Sequence, residues 1–218
     1  MNIFFLHWDP RICAVMHVDK HVIKMILETC QLLCTTHHVT NSNYTPPYKM
    51  THKNHPCTIW VRESQSNYKY LVRLGKALCK EYTYRYSKIH KCQSYIKELG
   101  KNIPLIPDIG FTSPAQAMPD MYKSDDAIES YRAYYFFEKT DLHSWKKRNI
   151  PDWITETKNL FVCDKIKTPV STPKINIETD VKVEKPEMNW IGWSEKSKYI
   201  PFKSTQKGVG DGEQKMST

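Results

Sequence analysis

Apolar residues recur at helical spacing through most of the chain, and the pattern breaks down after about residue 156. Val18, Val22, Met25, Cys30, Leu32 and Leu33 fall on one side of a helix over roughly 18–38. Trp60, Tyr68, Leu71, Leu74, Leu78 and Tyr82 give the same spacing along a second long helix that opens at Pro56. A shorter helix is predicted over about 88–99, and the stretch "SDDAIESYRAYYFFEK" gives a fourth, with acids in its first turn where the helix dipole favours them. Two starts are marked by proline at the first helical position: Asp9-Pro10, and Pro56 after Asn54-His55. "NIFFL" is a short apolar run, a strand or an extended lead-in. The segments 37–48 and "IPLIPDIGFTSPAQAMPD" are polar or proline-rich and read as loops.

No βαβ alternation and no repeat appears. The expectation is an all-α fold: a single helical domain over residues 1–155 with a short extended N-terminal segment. Residues 156–218 form a largely irregular or disordered tail, in which the aromatic segment at 188–202 is the one stretch able to dock.

The polar positions of the first long helix change this picture. His17, Lys20, His21, Lys24, Glu28, Gln31 and Thr35 follow spacings of three and four and make one stripe, with Glu28 one turn from Lys24. Such a stripe is either the solvated face of an amphipathic helix or the face of a site. In a site, a carboxylate beside an amine suits general acid–base work at a sugar carbon. A neutral amine there could attack that carbon and form an imine. A third reading gives His17 and His21 to a metal ion together with His52 or His55, although a His-Glu-x-x-His core is missing.

A second cluster, "THKNHP", places His52, Lys53, Asn54 and His55 before a helix N-terminus. Free amide groups there favour an anion, and capping of the helix is the alternative role. Trp60 and Arg62 follow within two turns, Trp60 as core or stacking platform. Arg85 lies in "EYTYRYSKIHK", whose mix of Tyr, Arg and Lys suits a nucleic-acid backbone or a helix end with snorkelling bases.

Charge points the same way. The net charge is +9, and residues 1–155 hold 21 Lys and Arg against 14 Asp and Glu. A basic surface fits phosphate partners or simple solvation. No apolar run is long enough to span a bilayer, and "MNIFFLHW" lacks the basic region of a signal peptide. Seven cysteines without a C-x-x-C pair argue for reduced thiols in a cytoplasm-like compartment, with Cys30 and Cys34 as small core residues.

Three motifs in order carry a resemblance. Lys20, Lys24, Glu28 and Gln31 match a K-R-L-x-K-x-x-x-E-x-x-Q helix in which His21 and Val22 replace the Arg and Leu, Asn54-His55-Pro56 with Trp60 matches an N-H-P helix start, and Glu81-Tyr82-Thr83-Tyr84-Arg85 an acid-aromatic-x-x-Arg segment. Over about residues 1–90 the chain resembles the pyrimidine-dimer DNA glycosylase superfamily of phage endonuclease V, closest to its small bacterial branch. "GFTSPAQAMPDMYK", "YRAYY" and "WKKR" look like segments shared by phage and viral proteins and add no chemistry.

The resemblance implies an all-helical enzyme that grips DNA at a lesion, a DNA glycosylase, with or without AP-lyase activity, acting on damaged or modified bases. In that family an N-terminal α-amine attacks the sugar C1′ with help from a helix Glu, which the resemblance matches to Glu28. Asn at residue 2 departs from the small residue of the family, so the candidates for the amine are Met1 and Lys24. His17, Lys20, His21, Lys53, Asn54, His55, Trp60, Arg62 and Arg85 are the candidate nucleic-acid contacts, and His and Lys stand where the family has an arginine-rich grip. DNA is the expected partner, with no cofactor, no metal, no membrane and no obligate protein partner, in the cytoplasm (of a host, if the protein is viral). The alternatives are an inactive nucleic-acid-binding protein and a His-based metal-dependent hydrolase.

Overall fold

The computed structural model describes residues 1–166, with side chains through residue 159; the aromatic segment at 188–202 lies outside the described residues. Seven α-helices and two 3-10 turns make up the described residues, with no strand among them, so the all-α expectation holds. They are α1 (Pro10–Met16), α2 (Asp19–Val39), α3 (Pro56–Glu63), α4 (Gln65–Tyr86), α5 (Cys92–Leu99), α6 (Ala127–Glu138) and α7 (Asp152–Ile166).

The helix starts follow from local chemistry. Asp9 Oδ1 accepts the Arg11 N–H at 2.7 Å, and His55 Nδ1 accepts the Cys57 N–H at 3.2 Å, each just before a proline that needs no acceptor. Asp126 caps α6 by accepting from Ile128 and Glu129.

Three boundaries differ from the sequence pattern. The long helix predicted from Pro56 is broken at Ser64, which takes extended backbone angles and caps α4 by accepting the Ser66 N–H. The apolar period runs through that break and hides it. The next helix begins at Cys92, not near 88, because Ser87 adopts φ +55° and ends α4. Finally, α7 crosses residue 155, near which the helical pattern of the sequence fades. Pro151-Asp152 starts it, and Trp153 and Ile154 are buried.

Helix α4 is the centre of the fold and packs on α1, α2, α3 and α5. Gly75 is needed in it, since a Cβ there would meet Thr29 Cγ2 on α2 at 2.7 Å. Residues 3–6 form the extended lead-in, and all four are buried. Phe4 stacks on His21 at 4.6 Å, and Phe5 packs edge-on to Trp60 at 5.2 Å and against Tyr131 at 5.7 Å. This burial fixes where the chain's first residues lie. The six cysteines whose side chains are described are free and buried, Cys30 and Cys34 among them. No described helix is long and apolar enough to cross a membrane.

A buried ion network holds the start of α2. Arg85 is fully buried; its Nε donates to Glu81 Oε1 at 2.7 Å and its NH1 to Asp19 Oδ1 at 2.9 Å. The remaining bonds go to the Val15 and His17 carbonyls, which the end of α1 leaves without helical partners. Arg148 completes the network with two bonds to Glu81. Burial acts to raise the Glu81 and Asp19 carboxyls. Hydrogen bonds from Arg148 and Arg85 on Glu81, and from Ser144, Lys146 and Arg85 on Asp19, outweigh it, and both groups titrate below their ordinary values. Arg85 is therefore an internal tie and is not free for a phosphate, contrary to the sequence expectation.

Candidate active site

Glu28 sits in the middle of α2 and is only 7% exposed. Its Oε2 accepts the Asn2 N–H at 2.8 Å and lies 4.0 Å from the Met1 α-nitrogen. Its Oε1 lies 3.5 Å from Lys24 Nζ, whose side chain is 68% exposed. One carboxylate thus stands between two amines, one buried against the fold and one reaching into solvent. His55, at the start of α3, feels the cluster's charges: burial lowers its pKa most, the α-ammonium lowers it next, and Glu28 opposes them. Of the candidates, Met1 and Lys24 are brought to Glu28, and the charges of Met1 and Glu28 act on His55.

The residues around the cluster divide by burial. On the outer ridge of α2, Lys20 and Lys24 alternate with Ile23 (41% exposed) and Leu27 (37% exposed). Lys53 and Asn54 are exposed in the turn before α3, and Arg62 braces that turn by donating to the Lys53 carbonyl at 2.6 Å.

His17, His21 and Trp60 do not face a ligand. His17 is fully buried and its Nδ1 bonds to the Cys13 carbonyl at 2.8 Å. His21 is buried against Phe4, with Nδ1 2.9 Å from the Tyr135 hydroxyl. Trp60 is core, its indole N–H donating to the Thr112 carbonyl. These three are corrections to the candidate DNA contacts, and burial is the reason in each case. The two histidines are also engaged at Nδ1, and among the described residues no group of three or more His, Cys, Asp or Glu is placed to hold a metal ion.

Burial holds the His17 pKa down to about 4, and burial followed by the charges of His17, Lys139 and Lys24 holds His21 down to about 3. Burial likewise lowers His37 to about 4. All three are neutral near pH 7. Unfolding releases them to the ordinary value of 6.5, so between that pH and the folded values the unfolded state binds more protons. Stability is expected to be intact above pH 6.5, to fall as the pH drops towards 3, and to lose no more to these groups below that. Each contributes a slope of up to about 1.4 kcal/mol per pH unit. Urea unfolding at a series of pH values measures it, and a stability flat from pH 6.5 to roughly 4.5 contradicts it.

Two residues absent from the sequence candidates shape the site. Asn2 Oδ1 lies 3.0 Å from the Tyr131 hydroxyl, and Asn2 Nδ2 donates to the Ala117 carbonyl at 2.9 Å. In the sequence Asn2 stands out only by its size, and nothing local shows what its amide holds. Tyr131 is legible there as one of the apolar positions of α6, but its link to residue 2 spans almost the whole described chain.

No curated protein and no solved structure matches the chain. Residues 1–94, which contain Met1, Lys24, Glu28 and His55, match the family model of pyrimidine dimer DNA glycosylase.

Proposed function

We propose that the protein is a DNA glycosylase with associated lyase activity, acting on damaged or modified bases in duplex DNA. The observation that carries this is the Glu28 carboxylate held between the Met1 α-amine and Lys24. The match of residues 1–94 to the glycosylase family supports the same reading.

The reaction follows from the groups present. A neutral amine attacks C1′ of the deoxyribose, the bond from C1′ to the base nitrogen breaks, and the base departs with a proton. The sugar ring opens to an iminium. Loss of a C2′ proton then expels the 3′ phosphate by elimination, and water hydrolyses the imine to return the amine. Glu28 is placed to take the proton from the attacking amine and to face the positive charge of the iminium. The Met1 α-amine, held against the fold at Glu28, is the first candidate for the attacking amine, and Lys24, whose side chain reaches into solvent, is the second.

The exposed bases Lys20, Lys24 and Lys53 would meet backbone phosphates. Asn54 and His55, in the turn that Arg62 braces, lie beside them. Taking the target base out of the stack lets the amine reach C1′. Duplex binding is expected to weaken about thirtyfold to fortyfold between 50 and 200 mM salt when three phosphates are engaged. A fluorescence anisotropy salt series measures that slope, and salt-independent binding contradicts it. The chemistry is tested by incubating the protein with duplexes holding one abasic site or one modified base, in the presence of borohydride. A covalent protein–DNA band is the expected result. Its absence on every duplex overturns the reading.

A further inference from the structure

Residue 2 is held by a clamp built from the other end of the described chain. The Tyr131 ring on α6 is fully buried against Phe4 and Phe5, so its hydroxyl has a fixed place. That hydroxyl lies 2.6 Å from the Ala115 carbonyl and 3.0 Å from Asn2 Oδ1, and it accepts the Ala117 N–H at 3.3 Å. Asn2 answers by donating Nδ2 to the Ala117 carbonyl at 2.9 Å, while its Oδ1 also accepts the Ile3 N–H at 2.8 Å and faces the Cys57 thiol at 3.5 Å. With its side chain fixed on both ends, Asn2 directs its own backbone N–H onto Glu28. The Met1 nitrogen is one residue further along, 4.0 Å from Glu28 Oε2.

We propose that Tyr131, acting through Asn2 and the Ala115–Ala117 backbone, is a positioning residue that holds the α-amine at Glu28 for attack on the sugar. This rests on the glycosylase reading. It also assigns a role to residues 115–131, which lie beyond the stretch that matches the glycosylase family. Burial pushes the Tyr131 phenol well above its ordinary range, so the hydroxyl stays a donor at any pH at which the enzyme would work. Misplacement of a reacting group by about 1 Å can cost about a hundredfold in rate, and loss of the clamp is expected to cost up to that much.

The test is Tyr131→Phe in the full chain, which keeps the ring packing and removes the hydroxyl. At saturating abasic duplex the borohydride-trapping rate is expected to fall between tenfold and a hundredfold, about the range such misplacement produces. The half-saturating DNA concentration should stay within about twofold, because no phosphate contact is removed. Exchange of the Asn2 amide, bonded to Glu28, and of the Ile3 amide, bonded to Asn2 Oδ1, followed by NMR, should become at least about tenfold faster as these bonds open. Tyr68→Phe is the control. It removes another buried hydroxyl, one that bonds His37 and the Leu99 carbonyl, about 13 Å along α2 from Glu28. That variant should change neither the rate nor the two amides. If Tyr131→Phe does not fold, Asn2→Leu removes the same contacts from the other side and should give the same two effects.

Unchanged trapping in Tyr131→Phe, or equal loss in Tyr68→Phe, overturns the proposal while the glycosylase reading stands. If the wild-type protein forms no adduct, the glycosylase reading falls and takes the catalytic role of the clamp with it.

Discussion

Glu28→Gln is expected to lower glycosylase and lyase turnover by about a hundredfold to ten-thousandfold, the range associated with a lost acid–base group. DNA affinity should change little. The substitution is nearly isosteric, and a glutamine Oε1 can still accept the Asn2 N–H that Glu28 holds at 2.8 Å. Lys24, left without its partner, is mostly exposed and stays solvated. The fold should therefore survive, with only the proton acceptor and the negative charge removed. Single-turnover rates on abasic duplex, together with anisotropy binding curves, separate the two effects. Turnover within threefold of wild type would mean that Glu28 is only a structural anchor for the N-terminal segment.

Arg85→Ala has the largest expected effect on stability. The guanidinium is fully buried and bonds two carboxylates and two backbone carbonyls. Removing it leaves Glu81 with only Arg148, leaves Asp19 without its side-chain cation, and leaves the end of α1 unsatisfied. Breaking a buried pair from one side costs about 3–5 kcal/mol, against a total stability of about 5–15 kcal/mol for a typical domain. A fall in Tm of roughly 10 °C or more follows for a domain of this size. Scanning calorimetry measures it. Arg11→Ala, which removes a solvent-exposed partner of Asp9, is the comparison and should leave Tm where it was. Equal effects from the two arginines would contradict the internal role of Arg85.

Much of the fold was legible because helix starts are written locally: Asp-Pro, Asn-His-Pro and Asp126 each supply a cap beside the apolar period. The break at Ser64 was not, since the period of α3 runs on into α4. The polar stripe on α2 was also only half legible. It reads as one seam, but the fold covers part of it with the segment 1–6 and α6, so that His17, His21 and Glu28 are buried while Lys20 and Lys24 stay out. A helical period distinguishes one flank from another and cannot say that two flanks are covered. Arg85 illustrates the same limit. Its i,i+4 spacing from Glu81 is visible in the sequence, but its burial depends on Asp19 and Arg148, brought in from distant segments. The contact between Asn2 and Tyr131 has no local signature at all.

The most direct measurement is the location of the borohydride adduct. Wild-type protein, its N-terminus first defined by intact mass, is trapped on an abasic duplex, digested, and mapped by mass spectrometry. The deoxyribose remnant is expected on the α-amine of the first residue, with Lys24 as the one other site compatible with the geometry around Glu28. Adducts scattered over exposed lysines such as Lys53 and Lys146, or no adduct at all, would contradict it.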